Sequence, residues 1–420
     1  DILQRLGGTV SQVAWVLIAF NLVLALAVVP AAWICEHRDP APLGAVGIAV
    51  FAGASAACAL AGSMEVLIGA RCVQAFGGAF ALMGCLELLV AAAGERRGVA
   101  RWIAAGVVGT ATGPVAGGLL TEAFSWQSIF VVQVPFAVLA VPAALAGRGA
   151  RSARSVVRHR PALRPNVALA LLSAALTAAL FLVVLLLVDG WRRSPATAAV
   201  TVSVVPAAAL LVRPLTAPLR TRPGIEVAVG CFLIAGGLAG LALLPAAELG
   251  WTVGPQILVG LGLGLAVDRL TVDAMRGRLP RAVHGGWTIG ARHAGVVLGL
   301  AILTPVFTAD LRDAQVPAQE AITALVLDAP LPAQDKIAVA RGLGDQLTDE
   351  RGRVPDLHPA FARLRLGPGE RPAARQLEKD LDAQLRRAAT HAFRDSFLAG
   401  AVLALAALVA LLPVRRRVRV

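Results

Sequence analysis

The sequence has no tyrosine and only two lysines, Lys336 and Lys379, and just 15% of its 420 residues are charged. A soluble chain of this size carries roughly a quarter charged residues, so an ordinary soluble globular protein is excluded. No glycine-rich phosphate loop, HExxH, CxxC pair or GxSxG elbow occurs, which removes ATP drive and the corresponding hydrolytic and metal chemistries. The five cysteines, Cys35, Cys58, Cys72, Cys85 and Cys231, sit in or at the ends of apolar runs with no ligand spacing. They read as small buried hydrophobes rather than a disulfide framework or a metal site, and no cofactor is expected. No signal-peptide pattern is visible, and the chain opens on Asp1 rather than Met.

What is present is apolar length. Hydrophobic residues make up 57% of the chain and the mean hydropathy is +0.73. Apolar runs recur at about 12–35, 42–62, 66–93, 102–124, 127–147, 166–188, 196–219, 225–246, 251–275, 287–308 and 396–413. Each approaches the twenty or so residues a helix needs to cross a bilayer, so the chain reads as a polytopic all-α membrane protein. The net charge of +13 could suggest nucleic acid, but the arginines cluster in short loops between the runs, which fits membrane topology instead. Counted loop by loop, the arginines at 38, 96–101, 148–164, 220–222, 276–281 and 415–419 fall on one side, against Arg5, Arg192 and Arg193 on the other. The positive-inside rule makes the first set cytoplasmic. The seven tryptophans fall near run ends, as an interfacial aromatic belt would.

One stretch carries more specific information. In Gly109-Thr110-Ala111-Thr112-Gly113-Pro114-Val115-Ala116-Gly117-Gly118, glycines recur every fourth residue, and Gly106 adds a turn. They share one helix face, where a second backbone can approach closely. Pro114 removes a backbone donor in the middle of it and is expected to bend the helix. The pattern GxxxGPxxGG resembles the antiporter motif of drug:proton antiporters of the major facilitator superfamily. Arg71-Cys72-Val73-Gln74-Ala75-Phe76-Gly77-Gly78 resembles that family's RxxQGxgxA, with Ala75 where glycine is usual. Trp126-Gln127-Ser128-Ile129-Phe130-Val131-Val132-Gln133-Val134-Pro135 resembles WRWiFliNvP, with Gln127 for Arg and Gln133 for Asn. Ala291-Arg292-His293-Ala294-Gly295-Val296-Val297-Leu298-Gly299 resembles aRqxGgxxG, with Gly295 and Gly299 as a second packing face. The loop holding Glu36, Arg38 and Asp39 is a degraded form of the family's GxLaDRxGRr gate.

The resemblance implies a major facilitator fold of two six-helix halves around a midplane site. The opening Asp1-Ile2-Leu3-Gln4-Arg5-Leu6-Gly7 resembles the segment after the family's first helix, so that helix is expected to be missing from this chain and the visible spans are numbered from two. The expected organisation is a first transmembrane half at 1–147, a basic cytoplasmic linker at 148–165 and a second half at 166–308. A hydrophilic external segment of helical spacing at 309–394 follows, then a last span and basic tail at 395–420. By the same resemblance the chain is expected to be a proton-coupled exporter of small lipophilic or drug-like compounds in the plasma membrane, with protons, substrate and the bilayer as its partners; the sequence leaves its oligomeric state open, a monomer being the expectation. Arg71 and Gln74 are candidates for proton coupling, Arg71 by depressing the pKa of a neighbouring acid. Glu87 and Asp268 are the deeper carboxylates among those near run ends, which include Glu122, and His293 is a possible relay. Glu36 and Arg292 are gate candidates. Two other readings stay open: a non-transporting receptor or assembly protein acting through 309–394, and an importer of the same fold.

Overall fold

The computed structural model describes residues 10–147, 149, 157–215, 223–349, 357–362 and 370–412. Among these it is helical throughout and contains no strand. With no water at bilayer depth, each segment must satisfy its own backbone groups, and a helix does so internally. The first half comprises α1 (Val10–His37), α2 (Pro40–Ala59), α3 (Met64–Ala93), α4 (Glu95–Ala123), the short α5 (Ser128–Val131) and α6 (Gln133–Ala146). The second half begins with α7 (Leu163–Thr177), which runs on through π-helical turns to Gly190, followed by α8 (Pro195–Val202) and α9 (Val204–Leu215). It continues with α10 (Pro223–Ala242), α11 (Leu249–Met275) and α12 (Arg281–Asp328). The chain then forms α13 (Ala333–Asp349), α14 (His358–Ala362), α15 (Arg371–Ala392) and α16 (Arg394–Leu411).

The turns are set locally. Asp39 caps α2, accepting from the Ala41 amide at 3.0 Å, with Pro40 filling the first helical position. Ser63 caps α3 and Ser194 caps α8 in the same way, through the amides of Val66 and Thr197. Gly94, at φ 75°, separates α3 from α4 by a single residue, a conformation that favours glycine.

Among the described residues, ten helical stretches are long and apolar enough to cross a membrane. Leu249–Met275, read as a span in the sequence, is a 27-residue helix inside the bundle but lies outside that ten. In the first half α3 packs on α1, α2 and α4, and α6 covers α2; in the second, α10 and α11 pair, and α16 lies against α7 and α10. The halves meet along two seams, α1 against α12 and α4 against α8.

Within 309–394 the described residues are largely helical: α12 continues unbroken for 48 residues into the segment, and α15 leads into α16 with only Phe393 between. The segment's apolar face is buried in a small core of Ile322, Val326, Val339, Phe361, Leu377 and Leu381. One expectation is corrected: the tryptophan belt is incomplete. Trp126 and Trp191 are buried, and Trp191 donates its indole N–H to Thr390 Oγ1 of α15 at 2.9 Å, while Trp15, Trp33, Trp251 and Trp287 are exposed.

Candidate functional site

Between the halves lies a cavity of about 560 Å³, walled by α3, α4, α7, α9, α11 and α12. That volume falls within the roughly 300–1,000 Å³ of small-molecule sites. The walls are mostly apolar, among them Leu82, Trp102, Leu176, Val205, Leu263 and Ile289. Asp268 of α11 and Arg292 of α12 are the charged residues among those lining it. They act on one another electrostatically, so one carboxylate and one guanidinium are coupled at the wall of an otherwise oily chamber. Ser173, Thr110, Thr271 and Thr288 add hydroxyls, and Trp102 is held in place by donating to the Leu82 carbonyl at 3.2 Å.

The other sequence candidates lie elsewhere. Arg71 sits in a buried polar network within the first half. Its guanidinium donates to Gln74 Oε1 at 2.6 Å and lies 3.9 Å from the centroid of the Phe20 ring. Gln74 Nε2 donates to Ser55 Oγ at 2.7 Å and to Gln133 Oε1 at 3.1 Å, so α1, α2, α3 and α6 are tied together at one point. Among the described residues no carboxylate pairs with Arg71. Glu87 lies sixteen residues further along α3, about 24 Å at 1.5 Å per residue. The expectation that Arg71 tunes a neighbouring acid is therefore not met. Gln133, noted in the sequence as a substitution, proves to be a member of this network; that glutamine in an otherwise apolar run was the signal.

Glu87 is buried and faces away from the cavity, toward Cys35 of α1. His293 also leaves the cavity and closes the α1–α12 seam, where its Nδ1–H donates to Asn21 Oδ1 at 2.6 Å. Asn21 Nδ2 in turn donates to the Leu17 carbonyl at 2.8 Å. Among the described residues Glu36 makes no arginine lock: its Oε2 is buried without a hydrogen-bond partner, and the His37 imidazole lies 4.0 Å away. Asp39, out of register in the sequence, takes the contact instead, accepting from the Gly149 amide of the linker at 3.4 Å.

The glycine face of α4 is the largest correction. Among the described residues nothing lies within 4 Å of where a Cβ would project at Gly106, Gly109 or Gly113, and Gly117 meets only the tip of Ile129 at 3.9 Å. Pro114 lies inside the continuous α4. Close packing occurs only at the far end of the motif. There a Cβ on Gly118 would run into the Ala199 methyl of α8 and lie 2.9 Å from the Pro195 carbonyl oxygen. One turn on, Glu122 accepts from the Ala196 amide at 2.8 Å, a carboxylate at the N-terminus of α8. The reason is geometric: α4 touches α3 at one end and α8 at the other, and its middle is left uncovered by the described residues. The tight glycine crossing is at α2–α3, where a Cβ on Gly47 would sit 2.7 Å from the Ala81 amide nitrogen and one on Gly77 2.7 Å from that of Phe51. In the second half the expected face is present, with Gly295 against Ala170 and Gly299 against Ala174 of α7.

At the opposite end from Glu122 the described part of the linker straps both halves. Arg158 donates to His37 Nε2 at 3.1 Å on the first half. His159 exchanges two hydrogen bonds with the Leu279 backbone, at 2.8 and 3.0 Å, on the second. An ion pair between Glu95 of α4 and Arg281 of α12 also crosses there.

A family model described as Major Facilitator Superfamily matches residues 1–308. The Methylenomycin A resistance protein of Streptomyces coelicolor is 32% identical over 217 residues, covering 50% of this chain and 44% of that protein. The Multidrug resistance protein Stp of Mycobacterium tuberculosis is 36% identical over 129 residues, 30% of this chain and 24% of that one. The Tetracenomycin C resistance and export protein of Streptomyces glaucescens is 33% identical over 145 residues, 34% of this chain and 27% of that one. The matched region thus spans less than half the length of each of these relatives. A solved bacterial homologue of the human lysosomal transporter Spinster, inward-facing and occupied, superposes with a TM-score of 0.61 at 15% identity, covering 97% of this chain and 90% of that one. That likeness supports the fold alone. With its apolar helices and bacterial relatives, the chain is an integral membrane protein of the plasma membrane.

Proposed function

Because the chain belongs to the Major Facilitator Superfamily, a family of transporters and not enzymes, we propose that it is a proton-coupled exporter of small lipophilic compounds working by alternating access. The observation that carries this reading is the apolar inter-half cavity with Asp268 and Arg292 on its wall. A lipophilic compound gains by leaving water for such walls at roughly 25 cal/mol per Å² of apolar surface covered. A carboxylate beside it can exchange a proton, and Arg292 supplies a positive charge on the same wall. When Asp268 is protonated, Arg292 loses that counter-charge, which changes how α11 and α12 attract one another across the cavity. Binding of a proton and of substrate can thus act on the same two helices. The resistance and efflux proteins among the relatives support export as the direction.

In this reading the halves, about 1–147 and 166–308, rock about the cavity. The Glu122–Ala196 contact and Gly118 close one end, and the α1–α12 seam with the Asn21–His293 bond is the pivot side. The working unit is a monomer in the bilayer, with protons and the exported compound as its ligands. Arg71 and Gln74 hold the first half in shape rather than carry the proton.

The test is efflux of a lipophilic fluorescent dye by the full chain in inverted membrane vesicles under an imposed pH gradient. Asp268→Asn is expected to abolish gradient-driven movement while dye binding persists, because only the titrating group is lost. Efflux by Asp268→Asn at the parent rate and with the parent pH dependence overturns the assignment. Movement in the opposite direction would identify an importer.

A further inference from the structure

A second cavity, of about 270 Å³, lies at the end of the bundle remote from the linker. One wall is the short connection from α10 to α11, Ala242 to Ala247; the other is the junction of α15 and α16. From that junction come Arg387, His391 and Arg394, spaced by four and three residues, so that they share one helix face. Among the described residues no acidic one lines this cavity. Among the described residues neither arginine belongs to an ion pair, whereas their neighbour Arg386 is paired with Asp382 at 2.8 Å. Thr390, between them, is already engaged: its hydroxyl donates to the Arg386 carbonyl and accepts from Trp191. The opposite face of the same helix is fixed by buried Ala389, Ala392 and Phe393, so the basic face is held toward the cavity.

We propose that this pocket binds a phosphate anion, that of a phospholipid headgroup. Two guanidiniums and an imidazole converging on one small space fit a phosphate, and guanidinium forks match its oxygens. The place in the fold selects the lipid source over a soluble one. Ala242 ends the apolar span of α10 and Arg394 begins that of α16, so the pocket lies at the level where headgroups meet acyl chains. Its loop wall is apolar, Leu243-Leu244-Pro245-Ala246-Ala247, with Leu243 61% exposed. A free anion gains nothing from that wall, whereas a lipid's glycerol and acyl region does.

The test uses the full chain in nanodiscs of mixed phosphatidylglycerol and phosphatidylcholine, followed by native mass spectrometry of retained lipid. The parent is expected to retain phosphatidylglycerol selectively. Arg387→Gln/Arg394→Gln is expected to lose that selectivity by about fivefold per arginine, the scale on which one basic residue acts near an anionic surface. Arg371→Gln/Arg375→Gln, which removes the same charge from the other end of α15, should match the parent. Equal retention by the parent and the Arg387/Arg394 variant overturns the site. If inorganic phosphate added to the delipidated protein in detergent raises its melting temperature as much as phosphatidylglycerol does, the lipid assignment is overturned in favour of a soluble anion.

Discussion

Arg71 is kept deep in an apolar span by neutral partners. The Phe20 ring contributes cation–π attraction of about 0.5–2 kcal/mol, and Gln74 accepts its N–H at 2.6 Å. Gln74 then passes its own donors to Ser55 and Gln133, so a change at one position leaves others unpaired. Arg71→Ala should therefore cost stability on the scale of a buried unsatisfied group, about 1–3 kcal/mol, read as a lower thermal midpoint in detergent. Arg71→Lys should recover part of it, since an ammonium keeps the charge but not the planar fork. Arg71→Ala should also leave the pH dependence of the remaining efflux unchanged, in contrast to Asp268→Asn, because no carboxylate belongs to the network among the described residues. A parent-like melting temperature, or a shifted pH profile, would return Arg71 to the coupling machinery. Arg71 and Gln74 were legible as a functional pair because polar residues inside an apolar run stand out. Their role was not, because the carboxylate that would have made them a proton device is sixteen residues away along the same helix.

At the scale of an element, α4 separates what spacing can and cannot tell. A four-residue glycine repeat fixes which residues share a face, and it does so reliably; it does not name the neighbour that face meets. The same repeat therefore reads alike in α12, where Gly295 and Gly299 press on α7, and in α4, where Gly109 and Gly113 meet nothing described. The α2–α3 crossing was missed for the converse reason, since Gly44, Gly47, Gly77 and Gly84 form no single conspicuous motif yet stack two helices backbone to backbone. The resulting prediction discriminates within one motif. Gly118→Leu must run into Pro195 and Ala199, push α8 away from α4, and so should break the closed α4–α8 contact. Gly113→Leu has open space in this conformation and should leave the fold intact. A cysteine pair at Glu122 and Ala196 reports the contact. Crosslinking should fall strongly with Gly118→Leu and stay at the parent level with Gly113→Leu. Equal crosslinking in both would mean that Gly118 does not set the approach of the two helices.

For the whole molecule, sidedness follows from counting crossings. Val157 in the linker and Ile337 on α13 are both exposed, at 54% and 52%, and both lie clear of the spans. Between them run the helical stretches 163–190, 195–215, 223–242, 249–275 and 281–310. If all five cross, an odd number, the two positions lie on opposite faces of the membrane. If Leu249–Met275, the stretch outside those ten, does not cross, four crossings place them on the same face. The arginine asymmetry adds the direction, with Val157 beside Arg158 and Arg160 on the cytoplasmic face. In a background lacking Cys35, Cys58, Cys72, Cys85 and Cys231, a membrane-impermeant maleimide should label Ile337→Cys in right-side-out vesicles and Val157→Cys in inverted ones. Labelling of both positions from one face would remove α11 from the membrane, and with it the cavity wall that carries Asp268. The reverse pattern would keep the five crossings but turn the protein over, placing the linker strap and the Glu95–Arg281 pair outside and the headgroup pocket against the inner leaflet.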